Sequence, residues 1–171
     1  GVKHVLAFGI DHILFMLCIF FNNSNLKYLL RNRILFTIAH SVALLIAISY
    51  NFKVSEIIEP LIALTILITA IENIISYQSN KYYYVVVLIF GVIHGLGFAI
   101  AFKEIQGNNL FSSVLSFNIG VELAQILILL IAYLLYTRVK GWKNYYLFIV
   151  KPINTIIAIF AVYWRWPRTH I

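Results

Sequence analysis

The chain has 171 residues, of which 62% are hydrophobic and only 11% charged, with a mean hydropathy of +0.91. Soluble domains carry about 25% charged residues, so the composition excludes a soluble enzyme or binding domain and is that of a polytopic helical membrane protein. The net charge of +7 gives no nucleic-acid reading, because the basic residues sit in short connections between apolar runs, where they set topology; a single cysteine, Cys18, leaves neither a disulfide framework nor a thiolate metal cluster.

In chain order the apolar runs are 1–21, 34–50, 58–77, 83–102, 111–137 and 148–165. Each is near or above the roughly 17–20 residues needed to span hydrocarbon. The expectation is an all-α protein with six transmembrane helices in one bundle, a single domain over residues 1–171 with a polar interior lined by histidines and carboxylates. Asn22-Asn23-Ser24-Asn25, Asn51-Phe52-Lys53, Gln78-Ser79-Asn80-Lys81, Gln106-Gly107-Asn108-Asn109 and Lys140-Gly141-Trp142-Lys143 punctuate the runs as connections. Lys27, Arg31, Arg33, Lys81, Arg138, Lys140, Lys143 and Lys151 fall on one side, and Lys3, Lys53, Lys103, Arg165 and Arg168 on the other. That asymmetry favours cytoplasmic first, third and fifth loops, with both termini outside. Tyr82, Tyr83, Tyr84, Trp142, Tyr145, Tyr146, Trp164 and Trp166 gather at the expected helix ends as an aromatic belt. Because the chain opens on Gly1 and its one methionine is Met16, the N-terminus is expected to be processed or incomplete.

Ionisable groups inside a span cost a few kcal/mol or more unless they face a bundle interior and find partners, so each needs an explanation. In the first helix His4, Asp11 and His12 stand at i, i+7 and i+8, on one face. The second carries His40-Ser41. The third carries Thr65, Thr69, Glu72, Asn73 and Ser76, with Glu59 beside Pro60 at its start, where the helix dipole favours a carboxylate in any case. The fourth holds His94 among Gly91, Gly95 and Gly97, which read as helix-packing positions. The fifth presents Asn118, Glu122 and Gln125 at i, i+4 and i+7. The sixth offers only Asn154 and Thr155 and is assigned to packing.

Every Lys and Arg is expected in a loop or within about a turn of a helix end, which leaves Asp11, Glu72 and Glu122 without a cationic neighbour. Such carboxylates take up protons or hold a cation brought from outside. Imidazoles and carboxylates, with Cys18 and Met16 the only soft donors, suit Ni²⁺, Co²⁺, Zn²⁺ or Fe²⁺ and argue against Cu(I). At 1.5 Å per residue, Asp11, His12, His94 and Glu122 come out roughly 12–18 Å from a helix end, near the bilayer midplane. His40 and Glu72 come out a turn or two nearer the cytoplasmic side, and His4 near the outer mouth. The stagger reads as a path of a collecting histidine, a central cage and an inner pair. Ser41, Asn73, Asn118 and Gln125 are expected to orient the ligands. The plainer readings are an interfacial His4, an Asp11–His12 pair that ties helices together, and His40-Ser41 as interhelical polar contact.

The first-helix histidine with Asp11-His12-Ile13-Leu14-Phe15, Ala39-His40-Ser41, Ile58-Glu59, Ala70-Ile71-Glu72-Asn73, Phe90-Gly91-Val92-Ile93-His94-Gly95-Leu96-Gly97-Phe98-Ala99 and Phe117-Asn118-Ile119-Gly120-Val121-Glu122-Leu123-Ala124-Gln125 resembles the HupE/UreJ family of bacterial membrane proteins. The likeness runs over the first five helices. It implies a secondary transporter for a divalent transition metal, nickel or cobalt as substrate, in the bacterial cytoplasmic membrane. Metalloenzyme maturation proteins or a second copy of the chain are the partners it implies, beside the lipid bilayer. Two further classes stand next to it: an intramembrane zinc hydrolase, with three histidines on the metal, Asp11 or a Glu as base and Ser41 in support, and a subunit whose polar residues serve assembly.

Overall fold

The computed structural model describes residues 9–50, 57–76, 83–105 and 109–165. Within them lie α1 (Ile10–Asn22), α2 (Leu26–Ser49), α3 (Ile58–Ile75), α4 (Tyr83–Ile105), α5 (Leu110–Val139) and α6 (Lys151–Arg165), with a π-helical turn, Tyr146–Val150, leading into α6. There is no strand among the described residues, so the fold is all-helical as expected. By length and composition Leu26–Ser49, Ile58–Ile75, Leu110–Val139 and Tyr146–Tyr163 are long and apolar enough to cross a membrane, whereas Ile10–Asn22 and Tyr83–Ala99 are shorter apolar stretches. The expected first span opens at residue 1, and its residues 1–8, His4 among them, lie outside the described residues. So do Lys53, Lys81, Tyr82, Trp166 and Arg168.

Two boundaries correct the sequence reading. The second helix starts at Leu26 rather than 34, because Asn25 caps it: the Asn25 side chain accepts from the Lys27 N–H at 2.9 Å and the Tyr28 N–H at 3.5 Å. The basic residues read as loop are therefore helical, with Lys27 and Arg31 outward and Arg33 buried. Asn22, read as part of a connection, closes α1 and is buried. At α6, Pro152 lacks an N–H and would clash with a carbonyl one turn back. The wider turn before it, closed by the Lys151 N–H on the Tyr146 carbonyl, absorbs that conflict.

The distribution of side chains is inverted relative to a water-soluble bundle. Leu26, Leu30, Ile34, Ile38, Val42 and Ile46 form an exposed stripe of one residue per turn along α2, and Leu115, Ile119, Leu123, Leu127, Leu130 and Leu134 do the same on α5. His12, Asn22, Asn32, Arg33, His40, Thr69, Asn73, His94, Gln125 and Asn154 are buried instead. An apolar exterior around a polar interior is what lipid selects, since apolar surface there needs no burial and polar groups do.

Glycine sets the closest approach. A Cβ on Gly91 would lie 2.8 Å from Ala39 Cβ, and one on Gly95 would overlap the His40 carbonyl oxygen and come within 2.8 Å of Ala43 Cβ. The two glycines, four residues apart, let α4 lie directly on the α2 backbone. α1 packs against α2, α3 and α5, and α6 covers α3. Aromatic and aliphatic residues fill the interior, with Phe15, Phe36 and Phe90 fully buried and the Phe15 and Phe90 rings stacked.

Candidate metal centre

The site forms where α1 begins. First-turn N–H groups have no carbonyl one turn back to bond, and Asp11 fills that role locally: its Oδ1 accepts from the His12 N–H at 2.8 Å. The same oxygen lies 3.1 Å from His12 Nδ1, and Oδ2 lies 2.9 Å from His94 Nε2 on α4. One carboxylate thus bridges two imidazoles from different helices. The His12 and His94 rings stand nearly perpendicular, with centroids 4.4 Å apart. Both histidines are buried, while the Asp11 side chain keeps 26% of its surface exposed.

One ligand atom from each of Asp11, His12 and His94 lies within 4.8 Å of the other two. Around a tetrahedral ion with bonds near 2.0–2.2 Å, ligand atoms sit about 3.3 Å apart. A small inward shift would therefore seat a divalent ion on this set, and two nitrogens with one oxygen suit a borderline transition metal. Without an ion the same three groups form a hydrogen-bonded His–Asp–His chain.

His40 is placed differently from its expected depth. Instead of lying a turn or two inward, it is buried beside the cluster, its ring centroid 6.1 Å from that of His12. The glycine contact explains this, because Gly95 rests on the His40 backbone and carries His94 next to it. Phe36 and Phe117 stack on the His40 ring, at 5.7 and 6.2 Å, and Phe90 sits 4.1 Å from the His94 ring. The imidazoles are thus walled by aromatics. Ser41 donates to the Thr37 carbonyl of its own helix at 2.6 Å.

Glu122 is not with Asp11. Its Oε1 is paired with the Arg33 guanidinium, and its Oε2 accepts from the Thr37 hydroxyl at 2.8 Å, with Gln125 Oε1 3.5 Å from that hydroxyl. This corrects the expectation that no cation lies at depth. Once α2 starts at Leu26, Arg33 is two turns inside it and faces α5. Asn118 is half-buried on α5, and its Oδ1 makes no hydrogen bond among the described residues.

Glu72 and Asn73 lie at the other end of the bundle, where α1 meets α2. Asn73 donates to the Cys18 carbonyl at 2.8 Å and to Asn154 Oδ1 at 2.9 Å, and accepts from Asn22 Nδ2 at 3.0 Å. It therefore ties α1, α3 and α6 together rather than orienting the histidine cluster. Glu59 is exposed in the first turn of α3. The interior polar residues that spacing alone did not single out are Arg33, Thr37, Asn22 and Tyr28, whose hydroxyl donates to Asn22 Oδ1 at 2.7 Å. Arg33, Thr37 and His40 stand at i, i+4 and i+7, a polar stripe visible once the helix is extended back to its asparagine cap.

No curated protein and no solved structure matches the chain. The family model described as HupE / UreJ protein matches residues 1–168 of the 171. On that match, over nearly its whole length, the chain belongs to the HupE/UreJ family.

Proposed function

We propose that the protein is a permease for a divalent transition metal ion, nickel or cobalt, built as one six-span domain in a bacterial cytoplasmic membrane with both termini outside. The observation that carries this reading is the Asp11–His12–His94 set: three ligand groups from two helices, inside a bundle whose exterior is apolar. Membership of a family linked to metal handling supports the same reading.

In this scheme Asp11, His12 and His94 take the ion. His40 lies beside them, and the Arg33–Glu122 pair follows about two turns beyond it on α2. Because Arg33 already neutralises Glu122, the ion does not bind there; the pair keeps the interior charge-balanced while the ion passes. Nickel and cobalt are favoured over copper(I) because the set contains no sulfur, Cys18 being buried elsewhere in α1.

Elemental analysis and X-ray absorption on protein purified in detergent and loaded with Ni²⁺ test the reading. One ion per chain with nitrogen and oxygen neighbours is expected, and its loss in the Asp11→Asn variant. A folded protein that takes up no nickel, cobalt or zinc would refute it. Metal-dependent cleavage of a lipid or amide without transport would replace it with the hydrolase.

A further inference from the structure

One turn from the histidine cluster the interior changes character. Phe15 follows His12 on α1, while Phe36 and Phe90 precede His40 and His94 on α2 and α4. All three are displaced toward the end of the bundle where α1 meets α2, and where Tyr83, expected in an aromatic belt, is 1% exposed with its ring 6.2 Å from that of Tyr28. The three phenylalanine rings meet one another, with centroids 3.4 Å apart for Phe15 and Phe90, 5.7 Å for Phe36 and Phe90 and 5.9 Å for Phe15 and Phe36, and each residue is 0% exposed. They also meet the imidazoles: Phe90 lies 4.1 Å from the His94 ring, and Phe36 lies 5.7 Å from that of His12. Beyond them the interior is polar again. Asn32 is buried one turn on from Phe36, and hydrogen bonds of 2.7 and 3.0 Å link Tyr28, Asn22 and Asn73. Helices that pack in lipid favour small residues where they meet, and α2 and α4 follow that rule at Gly91, which rests on the Phe36 carbonyl and Ala39. Three bulky rings at one level, one from each of three helices, do the opposite.

We propose that Phe15, Phe36 and Phe90 form the seal of the permeation route, an apolar constriction that keeps hydrated cations from passing between the histidine cluster and the polar α1–α2 end. An ion entering the layer would exchange its hydration shell for ring carbons that offer no lone pair, and a constriction lined in this way sheds water as well. The next polar groups inward, Asn32 on α2 and Asn22 on α1, stand about one and two turns beyond the rings of their own helices. The cluster itself reaches the surface without crossing the layer, because the Asp11 side chain keeps 26% of its area exposed. Phe36 stands on α2 between His40 and Arg33, so an ion leaves the cluster toward that end only when the rings rotate or their helices part. That a metal ion waits at the seal rests on the permease reading; that the layer bars cations does not.

The test is cation entry into proteoliposomes holding the purified full chain, with radioactive Rb⁺ as a hard cation that imidazoles hold poorly and Co²⁺ followed by quenching of trapped calcein. The wild type should admit no Rb⁺ above empty liposomes and should admit Co²⁺ saturably. Phe36→Ala/Phe90→Ala, which removes two of the three rings, should pass Rb⁺ and lose the saturation of Co²⁺ entry. Phe36→Leu/Phe90→Leu keeps apolar bulk in the layer and should stay tight to Rb⁺. Loss of packing alone would lower the unfolding midpoint of the alanine variant without opening it to Rb⁺. Phe90→Ala stands in if the double variant does not fold, and should pass Rb⁺ more slowly. Folded alanine variants as tight to Rb⁺ as wild type, or a wild type that itself passes Rb⁺, would overturn the seal. A wild type that admits neither ion, beside alanine variants that pass Rb⁺, would instead overturn the permease reading alone.

Discussion

The Arg33–Glu122 pair is where the structure departs furthest from what spacing suggests, and its energetics can be worked through. The Arg33 side chain is 9% exposed and that of Glu122 30%. Arg33→Met leaves the carboxylate with the Thr37 hydroxyl alone, and Glu122→Gln leaves a buried guanidinium whose Nε has no hydrogen-bond partner among the described residues. Breaking a buried pair on one side costs about 3–5 kcal/mol, and the partial exposure of Glu122 places these variants near ~3 kcal/mol. For a chain of this size that is a fall of roughly 6–12 °C in the unfolding midpoint. Replacing both partners removes the uncompensated charge, so Arg33→Met/Glu122→Gln should lie within about 2 kcal/mol of wild type rather than at the sum of the singles. Thermal unfolding in detergent reads the cycle, and nickel titration on the same samples should show affinities close to wild type. Strict additivity, or a Glu122→Gln protein that unfolds normally yet binds nickel tenfold more weakly, would refute the pairing and return Glu122 to the metal site.

Asp11→Asn, His12→Ala and His94→Ala should each weaken nickel binding by roughly tenfold or more while the protein stays folded, measured by titration calorimetry with circular dichroism as control. Gly95→Ala should destabilise by about 1–3 kcal/mol or more, because its methyl would meet the His40 backbone carbonyl and Ala43 Cβ, and should weaken metal binding by displacing His94. Gly141→Ala, in an open turn at φ 90°, should lose stability but no metal affinity. Orientation is read by single cysteines: Asn144→Cys should react with an impermeant thiol reagent from the cytoplasmic face and Tyr50→Cys from outside, with buried Cys18 silent in both.

The helical class and most boundaries were readable because apolar run length is a strong signal in a chain this hydrophobic. α3, α4 and α5 start within a residue of their expected positions. The start of α2 was not readable by hydropathy, since Lys27, Arg31 and Arg33 look like loop until the Asn25 cap and the partner on α5 are known. The proximity of Asp11-His12 to His94 was suggested by depth, and the structure brings the three together. Depth alone misplaced His40 and Glu122, because it carries no information about which way a helix is rotated. Rotation is set by the Gly91 and Gly95 contact with α2 and by Arg33 reaching α5, both of which are relations between helices. Asn22, Asn73 and Asn154 were each visible as polar residues, yet nothing in one helix tells that amides from three of them will bond to one another.

On the permease reading the Asp11–His12–His94 set passes a divalent metal across the membrane. The most direct test is uptake of radioactive nickel into proteoliposomes holding the purified chain, compared with Asp11→Asn and His94→Ala reconstituted at equal density. Saturable uptake by the wild type that cobalt competes away is expected, with uptake near that of empty liposomes in both variants. Nickel uptake undiminished in the two variants, or none by a wild-type protein that binds nickel under any imposed ion gradient, would contradict it.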